Sequence, residues 1–392
     1  MENALLVINA GSSSLKFALY RVALGPTFEA RYRGIIEEIG GESRMRVSLA
    51  PDAEERLDTL LAADNHDEAM QALLAWLAPR LDGLHLVAAG HRVVHGGVDH
   101  AAPVRVDEAV MAKLARLIPI DPLHQPHNLA GIRAMMQARP ELPQVACFDT
   151  AFHRTMPELA QRFALPPEIT EAGVRRYGFH GLSYDYIASV LPDYLGDRAE
   201  GRVIVAHLGN GASLCAMKQR KSVETTMSFT PLDGLPMGTR CGAIDPAIPL
   251  YLMRERGMDL AAVSDLLHKR SGLLGLSGIS SDMRQLLESD QPEAQAAVAH
   301  YVYHVAKTIG ALAVAVGGLD ALVFTAGIGE HAAPVRARIC QALAWLGLEL
   351  DPAANNDQGP RISSAGSPIS AWVIPTNEEL VIAHQAYALA TA

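Results

Sequence analysis

The apolar and polar positions alternate along the chain in a way that predicts strands and helices in turn. "ALLVI" (4–8) and "KFALYRV" (16–22) are short apolar runs typical of strands, separated by a polar turn. The segments 67–81 and 107–120 have the spacing of amphipathic helices. "QVACFDTAFH" (144–153) is typical of a core strand that ends in polar residues. Strands that alternate with helices predict an α/β fold.

The second half of the chain begins with the same pattern as the first. Residues 202–218 read as strand, Gly/Asn-rich turn and strand. His207-Leu208-Gly209 aligns with Asn9-Ala10-Gly11 and, after one inserted residue, Ser213-Leu214 aligns with Ser14-Leu15. Two turns of one design predict a duplicated architecture with a ligand held between the halves.

The stretch 309–327 is long and apolar enough to raise the question of a membrane span. Gly317, Gly318 and Asp320 interrupt it, so we expect a buried helix end, a turn and a core strand. A loop and helix over 168–191 are expected to join the two halves, and 377–390 is expected to be a packed helix.

Composition narrows the class of protein. The 392 residues are 49% hydrophobic and 19% charged, which is typical of a globular protein of two or three domains. The net charge of −10 argues against nucleic-acid or acidic-membrane partners, although a local basic cluster can still bind an anionic substrate. The four cysteines are far apart, and "MENALL" lacks the basic start of a secretory signal; both features predict a cytoplasmic protein.

The opening turn, "NAGSSSLK", is a candidate phosphate site. It is not a Walker P-loop, because it has one glycine, no Ser or Thr follows Lys16, and a strand comes next. A strand-turn-strand can still bind phosphate through backbone N–H groups, with help from the hydroxyls of Ser12, Ser13 and Ser14. The residues alone leave a plain polar hairpin turn as an equal alternative.

Two other strand ends are rich in glycine. Asn210 lies between two glycines, a composition common in ordinary hairpins. "FTAGIGEH" (324–331) is more specific, because an apolar run that ends in Gly-x-Gly is typical of a strand end at a ligand. Three Gly-rich strand ends in one chain favour the ligand-binding interpretation.

Several charged residues stand in apolar or Gly-rich surroundings. Arg92 lies in "GHRVVHGG" and Arg240 in "GLPMGTRCG", so each is expected to pair with a buried carboxylate or to bind an anionic ligand. The glutamates that open the last predicted helix have an alternative explanation as helix N-terminal charge. The further candidates are Asp149, His180, Glu378 and Glu379.

Nine motifs occur in an order that resembles the acetate kinase family. They are "NAGSSSLKF", "GHRVVHGG", "FDTAFH", "GFHGLS", "HLGNGAS", "PLDGLPMGTR", "SSDMR", "GIGEH" and "PTNEELVIA", and they extend from Asn9 to Ala383. The resemblance implies two duplicated actin-like ATPase (ribonuclease H-like) α/β domains around a nucleotide cleft. The expected N-terminal domain comprises 1–149 with a C-terminal helix at 380–392, and the expected nucleotide-binding domain comprises 150–379.

The resemblance also implies a role for each matching residue. The catalytic residues would be Asp149, His180 and Arg240. The substrate-binding residues would be Arg92 for the carboxylate and Val94, Leu123, Phe179 and Pro231 for the acyl methyl. The ATP-binding residues would be Ser12, Ser14, Lys16, His207, Leu208, Gly209, Asn210, Gly211, Asp282, Met283, Arg284, Gly327, Ile328, Gly329, Glu330 and His331. The magnesium-associated residues would be Asn9 and Glu378.

The implied reaction is direct, reversible transfer of the γ-phosphoryl group of ATP to acetate, giving acetyl phosphate and ADP. The resemblance further implies Mg²⁺ or Mn²⁺ dependence, a homodimer, a place in acetyl-CoA biosynthesis, and no nucleic-acid or membrane partner. A carboxylate is already ionised at neutral pH, so the reaction needs no general base. We therefore expect Asp149 to organise magnesium, water or Arg240.

Two departures from the family pattern and three alternatives remain. His331 stands where the family often has Asn, and "IDPLHQPHN" differs from the usual sequence near Leu123. A propionate or other short-chain carboxylate kinase is the nearest alternative, and Val94 favours acetate because it narrows the pocket. Arg92 and Arg240 argue against an actin-like or chaperone-like ATPase, and an apolar pocket argues against a sugar kinase.

Overall fold

The chain folds into two compact units. The computed structural model describes residues 2–23, 27–49, 56–81 and 83–392. Unit 1 comprises Met1–Phe152 and Asn377–Ala392, and unit 2 comprises His153–Thr376. The domain limits expected from the sequence, at 149/150 and 379/380, stay a prediction.

The strands come in two groups, one in each unit. In unit 1 they are β1 (Glu2–Ala10), β2 (Leu15–Ala23), β3 (Thr27–Glu37), β4 (Arg44–Leu49), β5 (Arg56–Leu60), β6 (Leu84–Val93), β7 (Val104–Arg105) and β8 (Gln144–Phe148). In unit 2 they are β9 (Arg202–Leu208), β10 (Ala212–Lys218), β11 (Lys221–Thr225), β12 (Ala321–Thr325) and β13 (Ser370–Val373).

The helices lie between and after these strands. They are α1 (His66–Leu77), α2 (Glu108–Ala115), α3 (Gln125–Ala138), α4 (Glu158–Gln161), α5 (Pro167–Glu171), α6 (Gly181–Leu195), α7 (Ala247–Arg256), α8 (Leu260–Lys269), α9 (Gly272–Ser277), α10 (Met283–Glu288), α11 (Pro292–Val316), α12 (Ala326–His331), α13 (Ala333–Ala342), α14 (Pro352–Asn356) and α15 (Glu378–Ala390). Short 3₁₀ turns cover Ala78–Arg80, Ala151–Thr155, Gly196–Glu200 and Ala344–Leu346.

Both sheets are built on the same strand order. The first sheet has the order β5-β4-β3-β2-β1-β6-β8-β7 and the second has the order β11-β10-β9-β12-β13. In each sheet three strands pair antiparallel, namely β1, β2 and β3 or β9, β10 and β11. Two further strands add in parallel beside the first of them, namely β6 and β8 or β12 and β13. The first sheet carries extra strands at its edges. The predicted α/β fold class is therefore confirmed, and its duplication is visible in the topology.

The central strands are apolar on both faces because helices or loops cover each face. Every residue from Ala4 to Ile8 is buried in β1. On one face α15 packs directly on β6, since a Cβ at Gly90 would lie 2.6 Å from Cγ2 of Ile382. A second cluster around Val93 and Phe148 lies under the ends of β6 and β8. The ends of β6 and β8 are therefore supported by closely packed, buried side chains.

Several element boundaries agree with the sequence patterns. The strands predicted at 4–8 and 16–22 lie within β1 and β2, and Asp107 caps α2 by accepting a hydrogen bond from the Val110 N–H at 2.7 Å. The helix predicted at 107–120 was too long, because α2 ends at Ala115.

The apolar stretch 309–327 has the structure expected for it. Helix α11 ends at Val316, Gly317 takes a left-handed conformation with φ 81°, and β12 follows. Among the described residues, no helix combines the length and hydrophobicity that crossing a membrane requires.

Candidate active site

The opening turn of unit 1 is fixed by its own backbone and by α3. Asn9 lies opposite Lys16 in the β1–β2 ladder, and the Gly11 N–H donates to the Ser14 carbonyl at 2.8 Å. Asn128 Nδ2 donates to the Ala10 carbonyl at 2.8 Å, and Asn128 Oδ1 accepts from the Val94 N–H at 2.9 Å. Asn128, which the sequence interpretation missed, thus joins the ends of β1 and β6. In the turn and at the start of β2, the side chains of Ser12, Ser13 and Lys16 are exposed.

Arg92 and Asp149 form an ion pair where β6 and β8 end. Arg92 Nη2 donates to Asp149 Oδ2 at 2.6 Å, and Arg92 Nε lies 3.2 Å from both carboxylate oxygens. The Asp149 side chain is 1% exposed, whereas that of Arg92 is 22% exposed and reachable from solvent. Burial lowers the pKa of Arg92, but the charges of Asp149, Glu378 and Asp121 outweigh burial and raise it. Arg92 is therefore a permanent cation among carboxylates.

The two glutamates at the start of α15 have different surroundings. Asn377 caps the helix by accepting from the Leu380 N–H at 3.1 Å. Glu379 forms an ion pair with Arg33 at 3.2 Å; burial raises the pKa of Glu379, and the charge of Arg33 opposes that shift. The charge of Glu378 acts on Arg92. Charge at the helix N-terminus therefore does not by itself describe these two glutamates. Glu379 also forms an ion pair with Arg33, and the charge of Glu378 also acts on Arg92.

In unit 2, His180 belongs to a chain of hydrogen-bonded side chains. It precedes α6 with a left-handed backbone (φ 59°), and its Nδ1 lies 2.8 Å from Ser213 Oγ. Ser213 Oγ is 2.5 Å from the Tyr184 hydroxyl. The His180 ring stacks on His207 with centroids 4.1 Å apart, and His207 Nδ1 lies 2.8 Å from Ser183 Oγ. These contacts fix the orientation of His180. Ser183 and Ser213 end two of the nine motifs but were given no role from the sequence, and Tyr184 lies outside all nine.

Arg240 and His180 converge on the backbone of Gly211. A Cβ at Gly211 would lie 3.4 Å from both Arg240 Nη2 and His180 Nε2. Arg240 Nη1 donates to the Pro231 carbonyl at 2.8 Å, which anchors the guanidinium. Because His180 Nδ1 faces Ser213, Nε2 is the ring nitrogen on the Gly211 side. A larger residue at 211 would crowd both side chains.

A cavity of about 670 Å³ in unit 2 brings together three of the sequence-predicted segments. The β9–β10 turn, the start of α10 and the α12–α13 region form its walls. Its lining residues are Gly209, Asn210, Ser281, Asp282, Met283, Arg284, Leu287, Glu288, Gly327, Ile328, His331, Ala332 and Pro334. Of these, Ser281, Leu287, Glu288, Ala332 and Pro334 were not predicted from the sequence.

Some residues of the same segments do not line this cavity. His207 and Leu208 are buried in β9, and Gly211 lies against Arg240 and His180. Gly329 is buried within α12.

Glu330 holds the junction between β12 and α12. Its Oε1 accepts from the Ala326 N–H at 2.8 Å and from the Thr376 N–H at 3.2 Å. Ala326 has φ 63°, a conformation that costs free energy for a residue with a side chain. Glu330 therefore stabilises a strained turn and is absent from the cavity lining.

The two charged residues of the "SSDMR" motif, Asp282 and Arg284, interact with each other. Asp282 caps α10 by accepting from the Arg284 N–H at 2.9 Å, and the two side chains form an ion pair at 2.6 Å. The hydrogen bonds from Arg284 lower the pKa of Asp282. Both residues line the cavity.

The four predicted acyl-pocket residues divide between the units. In unit 1, Val94 is buried directly after β6, whereas Leu123 is 39% exposed. In unit 2, Phe179 and Pro231 are buried, and their carbonyls accept from His153 Nε2 at 2.9 Å and from Arg240 Nη1 at 2.8 Å. Their main chains thus take part in the hydrogen bonding around His180 and Arg240.

The residues predicted to associate with magnesium offer a suitable donor set. Asn9 and Glu378 supply amide and carboxylate oxygens, which are hard ligands that Mg²⁺ prefers. Within the described residues, no group of three or more His, Cys, Asp or Glu side chains is arranged to hold a metal ion. Mg²⁺ commonly binds through one or two protein oxygens together with water and substrate phosphates, so these residues fit that ion.

Comparisons with known proteins agree over nearly the whole chain. Residues 4–384 match the model of the acetokinase family. The chain is 52% identical over 395 residues to an acetate kinase from Rhodopseudomonas palustris (strain ATCC BAA-98 / CGA009), covering 100% of this chain and 99% of the relative.

Two solved structures are similar in fold and sequence. A propionate kinase from Francisella tularensis subsp. tularensis SCHU S4 has a TM-score of 0.92 and 38% identity over 98% of this chain and 99% of its own. Porphyromonas gingivalis acetate kinase has a TM-score of 0.88 and 36% identity over 99% of each chain.

Proposed function

This chain belongs to the acetokinase family, and we propose that it transfers the γ-phosphoryl group of ATP to acetate reversibly, giving acetyl phosphate and ADP. One observation carries the proposal. The β9–β10 turn connects a nucleotide-sized cavity to two side chains suited to a phosphoryl group. Gly209 and Asn210 line the cavity, while Gly211 lies against Arg240 and His180.

The cavity of unit 2 binds the nucleotide in this proposal. Its volume of about 670 Å³ lies within the range of small-molecule sites, about 300–1,000 Å³. Its walls combine glycine backbone at 209 and 327 with apolar side chains such as Ile328, a combination suited to a base, a ribose and phosphates. The phosphates extend along the turn from Gly209 toward Gly211.

Charge neutralisation is the main task of the protein side chains. Acetate attacks as a carboxylate, already ionised at neutral pH, so no side chain has to remove a proton. In phosphoryl transfer, charge spreads over the equatorial oxygens, and positioning plus cations supply most of the catalysis. Arg240 Nη2 and His180 Nε2, side by side at Gly211, donate hydrogen bonds to these oxygens.

Arg92 binds the acetate carboxylate, and Asp149 positions Arg92. Asp149 engages the Nε and Nη2 edge of the guanidinium through three contacts. Arg92 Nη1 makes no hydrogen bond to the described residues, so that side remains for a substrate carboxylate. The contact with Arg92 supports this positioning role for Asp149, and the part expected of Asp149 in organising magnesium, water or Arg240 stays a prediction.

Unit 1 also supplies groups for the phosphates and the metal. Asn9 and Glu378 would hold Mg²⁺, for which Mn²⁺ is a chemical substitute, and the turn from Ser12 to Ser14 with Lys16 would bind the phosphates. Neutralisation of charge on the phosphate oxygens is what the ion supplies when bound.

A propionate kinase is the second candidate, because the Francisella relative bears that name. Val94, buried beside Arg92, limits the length of the acyl chain. One methylene is worth about 1–3 kcal/mol, so the two substrates overlap. The Val94→Ala variant is expected to raise kcat/KM for propionate relative to acetate.

Steady-state kinetics with acetate, propionate and butyrate test the function, with the acyl phosphate trapped as hydroxamate. The proposal expects the highest kcat/KM with acetate. No trapped product from any acid would overturn it. ATP turnover at an equal rate without any acid would favour an actin-like or chaperone-like ATPase.

We also propose a homodimer that associates through α7. This helix is rich in apolar residues, yet none of its residues is buried. Leu250 is 63% exposed, Tyr251 46% and Ile248 42%. Contiguous exposed apolar residues of this kind mark interaction surfaces. Sedimentation equilibrium is expected to give twice the chain mass, and Leu250→Asp is expected to give monomers; a wild-type monomer would refute this proposal.

A cytoplasmic location completes the proposal. Cys215, Cys241 and Cys340 are free thiols. Burial raises the pKa of Cys215 and of Cys340 to about 12, so both stay protonated and unreactive. Unpaired cysteines fit a reducing compartment.

A further inference from the structure

We propose that His66 is a positioning residue that orients the phosphate-binding turn of unit 1. His66 Nε2 lies 2.7 Å from the carbonyl oxygen of Gly11, although the two residues are 55 positions apart. This inference rests on the proposed contact between that turn and the phosphates. It adds a residue outside all nine sequence motifs to the machinery of unit 1.

The start of α1 is built to hold His66 in place. Asn65 Oδ1 accepts from the Glu68 N–H at 3.0 Å, and Glu68 Oε2 accepts in return from the Asp64 N–H at 2.7 Å. This reciprocal arrangement resembles a capping box and fixes the first helical residue, which is His66. Buried Met70 and Leu73 anchor the same helix in the core. The imidazole therefore projects from a rigid position.

The ring itself is restrained on its face. It stacks on His127 with centroids 5.9 Å apart and an interplanar angle of 26°. A carbonyl oxygen only accepts, so the proton must be on Nε2 of His66. Both the neutral Nε2–H tautomer and the imidazolium carry that proton, so the hydrogen bond survives either charge state.

The hydrogen bond fixes the direction of a backbone donor. In a planar trans peptide, the Gly11 carbonyl and the Ser12 N–H point in opposite directions. With the carbonyl held by His66, the Ser12 N–H points away from α1. That N–H donates to none of the described residues, whereas the neighbouring groups are engaged: Gly11 N–H with the Ser14 carbonyl at 2.8 Å, and Ser13 carbonyl with the Ile39 N–H at 3.0 Å.

The role of His66 follows from this geometry. Backbone N–H groups in a turn bind phosphate well only when they are aimed in advance. His66 prevents the Gly11–Ser12 peptide from flipping, and so presents the Ser12 N–H to the nucleotide phosphates. Loss of this contact should weaken the use of ATP and leave acetate binding at Arg92 unchanged.

Three variants test the inference. His66→Phe keeps a ring against His127 but removes the donor, and His66→Gln restores a donor. His85→Phe is the matched control, because His85 is exposed on β6 of the same unit. We expect His66→Phe to raise the KM for ATP about tenfold with the KM for acetate within twofold. His66→Gln should recover most of the loss, and His85→Phe should behave as wild type.

Lys16→Ala, measured in parallel, separates this inference from the proposed site. If Lys16→Ala raises the KM for ATP and His66→Phe does not, the inference on His66 is wrong and the site stands. If neither variant changes that KM, the turn does not bind phosphate and both proposals fail. Equal increases in both KM values for His66→Phe, or no recovery in His66→Gln, would show a general structural role and would also overturn the inference.

Discussion

The β1–β2 turn of unit 1 and the β9–β10 turn of unit 2 occupy the same place in the same strand order, yet their surroundings differ. In the first turn, Ser12 and Ser13 are exposed, and side chains from α1 and α3 hold the backbone from behind. In the second, Ser213 is fully buried and the turn packs against Arg240 and His180. In the proposed site, the first turn would present a backbone donor, whereas the second lies beside two side-chain donors.

This difference shows that the two duplicated units share their strand order but not all of the side chains at their strand ends. The strand order depends on backbone hydrogen bonds, and both units keep it. The chemistry depends on a few side chains at the strand ends, and here the turns differ in part: glycine (11 and 209) and serine (14 and 213) recur, whereas His207 stands where the first turn has Asn9. Function in this molecule is therefore read from the residues on each turn, since the shared topology would allow many functions.

The largest expected effect comes from breaking the ion pair of unit 1. In Asp149→Asn, Arg92 loses its buried partner, so we expect unfolding by urea to show a loss of about 3–5 kcal/mol and the KM for acetate to rise. Asp58→Asn is the matched control, because Asp58 pairs with Arg44 at the surface and should cost at most about 1 kcal/mol. Near-normal stability and KM in Asp149→Asn would contradict the positioning role.

Removal of the guanidinium in unit 2 should affect turnover more than binding. We expect Arg240→Ala to lower kcat about 10²–10³-fold, because Arg240 would stabilise charge that develops in the transition state. Arg220→Ala provides the control, since Arg220 pairs with Glu200 on the surface of the same unit. A change confined to the KM for acetate would show that Arg240 binds substrate instead.

Acid should destabilise unit 1 before unit 2. Burial lowers the pKa of His91 and His95 in unit 1, and of His153 in unit 2, to about 4. An unfolded histidine titrates near 6.5, so between about pH 6.5 and 4 the unfolded chain binds more protons and stability falls as pH falls. Each histidine contributes up to about 1.4 kcal/mol per pH unit in this window.

Hydrogen exchange measured by mass spectrometry at pH 7 and pH 5 can follow the two units separately. Unit 1 should lose protection first, because it contains two of these three histidines. Simultaneous loss, or earlier loss in unit 2, would show that other groups dominate the acid response.

The smallest expected effects come from replacing one serine by alanine in each turn. Ser213→Ala removes the hydrogen-bond partner of His180 and should lower kcat by up to about tenfold. Ser12→Ala should change kcat and the KM for ATP by less than about threefold, because the backbone N–H is the proposed donor. Reversal of this order would show that the hydroxyl of Ser12 binds phosphate and that the orientation of His180 matters little.

The parts of the fold that the sequence predicted are those with a local signal. Apolar runs broken by small residues identified β1, β2, β9 and β10, and Gly317 marked the end of α11. Strand β3 was not predicted, although Phe28, Ala30 and Tyr32 alternate with polar residues; most of its residues are exposed or half-buried, and only Ile36 is buried.

The supporting residues of the site could not be predicted in the same way. His66 and Asn128 contact the opening turn from 55 and 118 positions away, and no spacing rule connects such distances. The family resemblance assigned Glu330 to the nucleotide as part of "GIGEH" (327–331). Its carboxylate binds the Ala326 N–H at a left-handed alanine, a backbone conformation that has no signature in the sequence.

The position of α15 in the chain has a consequence for biosynthesis. The helix covers the face of β6 at Gly90, yet the ribosome makes it only after the whole of unit 2. Until residues 377–390 emerge, the nascent first unit has an uncovered apolar sheet, while unit 2 is contiguous and can complete itself. The N-terminal half of this protein is therefore translated first and finished last, and in that interval it is the part most in need of a chaperone.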